Sequence, residues 1–363
     1  MKIFRTTIAA LCAAVALLLS SSCDHKELCF HHPHYQTLRI QFDWRDAPTA
    51  PNEVEGMCVF LFPIDRDQDD FTSADGDTPL QRPEYYRVDF DNTKGGSVEG
   101  ILPGRYRIVT YNNDTDGVLF TGTSWETHTG FTREGSLLEP IYGNASNRAP
   151  HAPGADDQRV VICPDAMWGT SVATVEISEQ GVTYVHYPFN PDDDMDTSAP
   201  ITSTENVITL YPHLLTCYYD YEIRNVTNLE NAVQMCASLS GMASELTFSS
   251  EELGRELVTI PFAATPDMST RRIIGNFVTW GHNELNPQPH YLILYVWMKG
   301  EPRGWYFTFD VTAQVHAAPD RHYVHLVINN LDLPVIIDPG DEGEDAFEPS
   351  VDDWFQENHV VPM

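Results

Sequence analysis

Between residues 38 and 44 apolar and polar side chains alternate. Leu38, Ile40, Phe42 and Trp44 fall on one face and Arg39, Gln41 and Asp43 on the other, the period of a half-buried strand. Short runs of this kind recur along the chain, separated by Pro, Gly, Asn and Asp, and no long helical periodicity interrupts them after residue 23. Residues 57–62 are uniformly apolar, which predicts a central strand. Further strands are expected at 85–90, 97–102, 105–111 and 118–121, with Pro103-Gly104 as a tight turn and Asp116-Gly117 as a hairpin signal. Residues 122–158, poor in apolar side chains and rich in Gly, Asn and Pro, read as a long loop with one or two short strands at most. Strand character resumes at 160–163, 172–177 and 183–187.

Asp192, Asp193, Asp194 and Asp196 between Pro191 and Pro200 mark the clearest linker. A second set of strands is expected at 207–210, 216–226, 232–239, 245–248, 257–260, 272–280, 291–298, 305–311 and 323–328. Residues 291–298 are apolar on both faces, so that strand should be central and covered on both sides. Residues 305–312 alternate and should be covered on one side. Ser249 and Glu252, at capping-box spacing, predict one helical turn over 249–253. Residues 338–345 carry five acids with Pro339, Gly340 and Gly343, an extended and solvated composition. The tail then regains Phe347, Val351, Trp354, Phe355, Val360 and Val361, which predicts a docked or dockable segment. The fold class is all-β, with two β-sandwiches in series. They are expected at 36–190 and 201–337, joined by an acidic linker at 191–200 and followed by a tail at 338–363.

The first residues differ from all of this. Lys2 and Arg5 precede an apolar stretch over 8–19, then Ser20, Ser21, Ser22 and Cys23. A charged start, a short apolar segment and small residues make a secretory signal over 1–22, and the stretch is too short for a bilayer that needs about 20 residues. The Cys after small residues predicts lipidation, with Cys23 the first mature residue and the site of acyl attachment, although Ser20 stands where a lipoprotein signal usually has an aliphatic residue. Residues 23–35 form a tether.

Loss of Lys2 and Arg5 with the signal takes the net charge from −32 to −34. A surface of that sign repels nucleic acid and anionic membrane faces, so attachment to a membrane falls to the acyl chains. Cys29, Cys58, Cys163, Cys217 and Cys236 are odd in number and none are in CxxC spacing, so neither a disulfide framework nor a zinc ribbon is indicated. Cys58 reads as a small buried hydrophobe.

No GxSxG, HExxH, P-loop or post-strand GxGxxG occurs, and no catalytic residue or cofactor is assigned. His25, Cys29, His31, His32 and His34 are ligand types that suit zinc or copper, but they lie in the tether and are read as solvated, with no metal assigned. Asn112, Asp114, Asp116 and Gly117 begin like a calcium loop, yet Thr123 stands where the bidentate Glu is needed. Asp65, Asp67 and Asp69 fail in the same way, and both stretches read as polar hairpin ends. Of the tryptophans, Trp280, Trp297 and Trp305 fall in strands and read as core, whereas Trp125 and Trp168 are the better candidates to stack on sugars.

Several segments together resemble a fimbrillin-like lipoprotein family of Bacteroidetes related to fimbrial anchor and accessory subunits. They are Cys23-Asp-His-Lys-Glu-Leu-Cys-Phe-His-His-Pro-His34, Ile40-Gln-Phe-Asp-Trp44, Leu102-Pro-Gly-Arg-Tyr106, Tyr111-Asn-Asn-Asp-Thr115, Ser238-Leu-Ser-Gly-Met-Ala243, Asp310-Val-Thr312 and Ser350-Val-Asp-Asp-Trp354, with the terminal Met363. The resemblance implies two transthyretin-like sandwiches, a lipid-tethered N-terminus on the outer membrane, no enzymatic activity, and fimbrial subunits as partners. It also implies strand exchange, in which a terminal strand fills a groove in a neighbouring subunit. In related pilins cleavage after an Arg frees that groove, and Arg39 and Arg45 stand near the first strand. Asp24, Lys26 and Glu27 resemble a signal for export to the cell surface. The alternative is a glycan-binding surface lipoprotein of a polysaccharide-uptake system.

Overall fold

A computed structural model describes residues 34–64, 82–144, 148–185, 200–335 and 350–358. The signal, Cys23, the tether up to residue 33, Asp65, Asp67 and Asp69 and the acidic stretch 338–345 lie outside the described residues, as does 191–199.

In the N-terminal sandwich the alternating run forms β1 (Gln36–Phe42), which lies between antiparallel β4 (Gly95–Ile101) and parallel β12 (Val207–Leu210). The facing sheet runs β11 (Pro200–Ser203), β10 (Gly181–Val185), β9 (Trp168–Ser178), β5 (Gly104–Asn112), β2 (Met57–Pro63), β3 (Tyr86–Phe90), with β13 (His213–Leu214) beside β9. Leu38, Ile40 and Ile208 meet Met57, Val59, Ile108 and Val175 between the two sheets. The strand expected to open the second sandwich, 207–210, therefore completes the first. Val185 and Pro200 are register partners, so the acidic stretch between them joins two paired strands of one sheet. The change of sandwich follows Leu214, which moves the expected boundary at 191–200. The reason is burial: pairing with β1 sets Ile208 beside Ile40, in a core that polar flanking composition does not reveal.

The C-terminal sandwich opposes a sheet of β19 (Thr265–Asp267), β20 (Arg272–Thr279), β14 (Cys217–Thr227) and β23 (Tyr323–Asp332) to a second sheet. That second sheet runs β24 (Ser350–Asn358), β22 (Arg303–Asp310), β21 (Tyr291–Met298), β15 (Ala232–Ala243), β18 (Leu257–Ala263), β8 (Arg159–Val160). The two long apolar runs behave alike. In β2, Met57, Val59 and Leu61 face the first core, while Cys58, Phe60 and Phe62 enter a separate cluster with Tyr111, Phe248 and Trp280. In β21, Leu292, Leu294 and Val296 face the second core, while Ile293, Tyr295 and Trp297 face a fourth cluster. Each strand is apolar on both faces because each sheet is covered on both faces.

The expected loop 122–158 does much of this covering. It carries β7 (Thr129–Thr132), which joins β6 (Val118–Thr121) to β16 (Glu245–Thr247) and β17 (Glu252–Leu253) in a small sheet built from both halves of the chain. It then lays α1 (Glu139–Tyr142) and Leu137, Leu138, Ala149, Ala152 and Ala155 over the outer face of β21 and β15. The Tyr295 hydroxyl donates to the Pro150 carbonyl at 2.7 Å and the Tyr142 hydroxyl to Gln234 Oε1 at 3.0 Å. The helical turn expected over 249–253 does not form. Leu246 pairs with Leu253 across a turn in which Glu251 has φ +56°, and the Ser249 carbonyl accepts from the Ser171 hydroxyl at 2.9 Å. Cross-strand burial of Leu246 overrides the local capping signal.

Candidate functional site

Among the described residues, β24 is the first candidate for a functional feature. β24 adds in parallel to β22, the outermost strand otherwise, in the register Gly304 to Trp354 and Trp305 to Phe355, continuing to Thr308 opposite Asn358. Parallel neighbours need a crossover; the chain makes it through α2 (Thr312–His316), β23 and the segment before Ser350.

Two successive aromatic residues of β24 grip opposite faces of the sheet, as strand alternation requires. Trp354 meets Trp297 and Tyr295 edge-on, with ring centroids 5.0 and 5.4 Å away, and extends the cluster under α1. Phe355 stacks on Trp305 at 4.5 Å, and the Arg303 guanidinium sits 3.7 Å above its ring. Gly304 makes the first grip possible, since a Cβ there would meet the Trp354 ring at 2.6 Å. The docked or dockable tail with Trp354 is legible in the sequence, but the strand predicted opposite it begins at Trp305 and leaves out Gly304, although a Gly at a strand end is itself a signal of close approach. The arrangement is main-chain pairing along a sheet edge, with one aromatic side chain seated on each face of the sheet.

At the other terminus, Arg39 lies within β1, paired to Ser97 and Val207, with its amide bonded to the Asn206 carbonyl at 2.8 Å. Arg45 follows the strand, ion-paired with Asp43 and 4.7 Å over the Tyr211 ring. The structure thus distinguishes two arginines that the sequence leaves equal: Arg39 is inside the sheet and Arg45 in the turn beyond it.

The remaining candidates resolve as follows. Asn112 donates to Asp114 and to the Ala166 carbonyl and accepts from the Trp168 amide, while Asp165 receives the Asp116 and Gly117 amides, so the calcium-like stretch is a hydrogen-bonded turn. Trp125 is held by its Nε1 on the Ile108 carbonyl at 3.4 Å and by the Arg107 guanidinium 4.8 Å over its ring. Trp168 is 7% exposed and borders a cleft of about 470 Å³ between the sandwiches. Tyr218 and Tyr323, stacked at 5.7 Å, line the same cleft with Asp46, Glu53, His213 and Asp320. Trp280, Trp297 and Trp305 all pack in or against core clusters.

A family model described as a domain of unknown function (DUF5119) matches residues 22–263. No curated protein matches the chain. Among solved structures, a "putative adhesin" from Bacteroides ovatus is 14% identical, covers 84% of this chain and 95% of its own, and superposes with a TM-score of 0.51, which shows a shared fold. The fimbrial anchor protein Mfa2 from Porphyromonas gingivalis is 14% identical over 82% of this chain and 90% of its own, with a TM-score of 0.44. A structure from Bacteroides thetaiotaomicron described as "putative polysaccharide binding proteins (DUF1812)" is 9% identical over 81% and 89%, with a TM-score of 0.45.

Proposed function

The chain belongs to the DUF5119 family, and on that premise we propose that it is a surface-exposed outer-membrane lipoprotein, without enzymatic activity, that anchors a fimbria or serves it as an accessory subunit through a β-strand contact. Acyl chains on Cys23 hold the mature protein to the membrane, because its strongly acidic composition disfavours contact with anionic lipid headgroups. The observation that carries the reading is β24: a strand added in parallel to a sheet edge and seated by two aromatic residues. A strand held in this way by its own chain is also a strand, or an edge, that a second subunit can use. In the uncut chain β1 lies between β4 and β12, so the N-terminal groove is filled unless the chain is cleaved after Arg39 or Arg45. A lipidated subunit with that groove filled suits the end of a fibre better than its shaft.

Mild detergent extraction from the native bacterium should co-purify pilin-like subunits. A disulfide introduced between register partners by Thr308→Cys and Asn358→Cys, which ties β24 to its own edge, should abolish that co-purification. Undiminished capture by the locked protein would sink strand-mediated contact, and absence of any such subunit would sink the anchor reading. Cys23→Ser should move the protein from the detergent phase to the aqueous phase and remove incorporation of labelled palmitate.

The inter-sandwich cleft favours a second reading, in which the protein binds glycans for a polysaccharide-uptake system. Stacked Tyr218 and Tyr323 beside Asp46, Glu53 and Asp320 combine an apolar platform with hydroxyl acceptors. Binding on a glycan array that Tyr323→Ala removes, with no fimbrial subunit recovered, would favour this reading over the first.

A further inference from the structure

The short helix α2 plugs a sheet edge. Val327 of β23 donates its amide to Gln314 Oε1 at 2.7 Å, and Gln314 Nε2 donates to the Val327 carbonyl at 3.0 Å. β23 ends its sheet, with β14 on one side and no strand among the described residues on the other. Backbone groups alternate in direction along a parallel strand. The Val327 amide and carbonyl, bonded to α2, therefore point away from β14, while those of Leu326 and Ile328 point toward it. One side-chain amide thus makes the two bonds that a residue of an antiparallel neighbour would make. An open edge is a template for strand addition, and Gln314 occupies this one at its middle.

The same helix rests on a cluster of imidazoles. The His290 amide donates to Thr312 Oγ1 at 2.9 Å, and the Val311 amide donates to the His290 carbonyl at 3.0 Å, which fixes the start of α2. His316 ends it. The His316 ring centroid lies 5.1 Å from that of His282, in the loop after β20, and 5.1 Å from that of His290. His282 and His290 are 5.8 Å apart.

His290 is 2% exposed and its Nδ1 is 3.1 Å from the Ser240 carbonyl. A carbonyl only accepts, so the proton is on Nδ1, and Nε2 is buried without a partner. A second proton would create a buried N–H with no acceptor, on a cation packed against two further imidazoles. Three charged side chains bear on the cluster. Asp310 at the end of β22 and Glu284 in the loop favour protonation, and Arg321 ahead of β23 opposes it. All three are exposed, where water and salt screen them.

We propose that α2 is an acid-released guard of the β23 edge: with the imidazoles neutral, Gln314 closes the edge to a pairing strand, and proton uptake by the cluster displaces the helix and bares Val327. Burial lowers the His290 pKa to about 4 and, with His316, depresses that of His282. In the opened cluster both return toward about 6.5. The hold of these imidazoles on α2 is therefore complete above about pH 6.5 and is lost as pH falls below it, because the opened state takes up the protons.

The test is hydrogen exchange of the whole mature chain, read at single amides by NMR and expressed as protection relative to the unfolded rate at each pH. From about pH 7.5 to about pH 5 the Val327 amide should lose protection by about tenfold or more. The amides of Leu326 and Ile328, bonded toward β14, should keep theirs, which separates release of α2 from unfolding of the sheet. Gln314→Ala should remove the Val327 protection at both pH values. His282→Phe combined with His290→Phe should retain it at both, since a phenyl ring takes no proton. His316→Gln, at an exposed position that the fold tolerates, should shrink the acid loss by removing one repelling charge. Unchanged Val327 protection in the wild type at the lower pH, or in Gln314→Ala at either, overturns the proposal. So does an equal loss at Leu326 and Ile328, or an acid loss undiminished in the histidine variants that fold.

Discussion

The Trp354 ring lies over Gly304 so closely that one added carbon on the glycine would fall 2.6 Å from it. The contact joins the last strand of the chain to the edge of the C-terminal sheet through bare backbone. Its neighbours Trp297, Tyr295 and Tyr306 complete an aromatic wall around the ring.

Gly304→Val fills this socket while leaving Trp354 intact. It should expel the ring and raise the undocked population of β24 by an order of magnitude or more. Limited proteolysis after Leu333 should accelerate to match. Trp354→Ala should do the same more mildly: the ring is only partly buried, so the cost should be about 1–2 kcal/mol, below the 3–5 typical of a fully buried Trp. A digestion pattern unchanged in both variants would show that the tail is not held by this contact.

How far this interface could be read in advance depends on its parts. The alternation in 38–44, the two-faced apolarity of β2 and β21 and the aromatic pair in the tail are local patterns, and each strand formed where they fall. Partners are another matter. Nothing around Ile208 says that it pairs in parallel with Ile40 from the other half of the chain, because parallel pairing leaves no turn signal between the strands. The segment 122–158 reads in sequence only as a long loop, functional or mobile, because Leu137, Leu138 and the alanines that follow acquire their role only from Trp297 and Tyr295. Arg45 and Arg39 become distinguishable only once β1 is placed inside its sheet.

The seam between the sandwiches rests on aromatic packing. Phe248 lies 4.5 Å from Tyr111 and 6.5 Å from Trp280, and a Cβ on Gly130 would meet its ring at 2.7 Å. Phe248→Ala should lower stability by about 3–5 kcal/mol, and Gly130→Val should also weaken the seam by overpacking. Because the seam couples two cores, denaturant unfolding of Phe248→Ala should separate into two transitions where the wild type shows one. A single transition with an unchanged midpoint would mean that the cluster does not couple them.

The four described thiols are free, and burial pushes Cys163 up to about 11, Cys58 and Cys217 up to about 12, and Cys236 higher still. Thiolates are the reactive form. These four should resist a disulfide reagent at neutral pH in the folded protein and react together in denaturant. Rapid native labelling of Cys58, Cys217 or Cys236, mapped by mass spectrometry, would contradict the packing described for β2, β14 and β15.

His213 and Glu251 place an ion pair across the two halves of the chain, 2.9 Å apart and each about two-thirds buried. Burial alone would lower the His213 pKa, but the hydrogen bond to Glu251 and its charge outweigh this and hold it above its ordinary value. Burial likewise pushes Glu251 up, and the bond from His213 outweighs it, leaving the carboxyl below its ordinary value. The histidine's contribution is complete below its unfolded pKa of about 6.5 and fades as pH rises through the higher folded value. The carboxylate's contribution is complete above about 4.3 and fades as pH falls through its lower folded value. The two overlap between about pH 4.5 and 6.5, where the pair should add up to about 1 kcal/mol after allowance for partial exposure. The melting-temperature gap between wild type and Glu251→Gln should therefore be widest near pH 5–6 and shrink toward pH 9. A gap that stays constant or widens with rising pH would show that Glu251 does not act through the charge of His213.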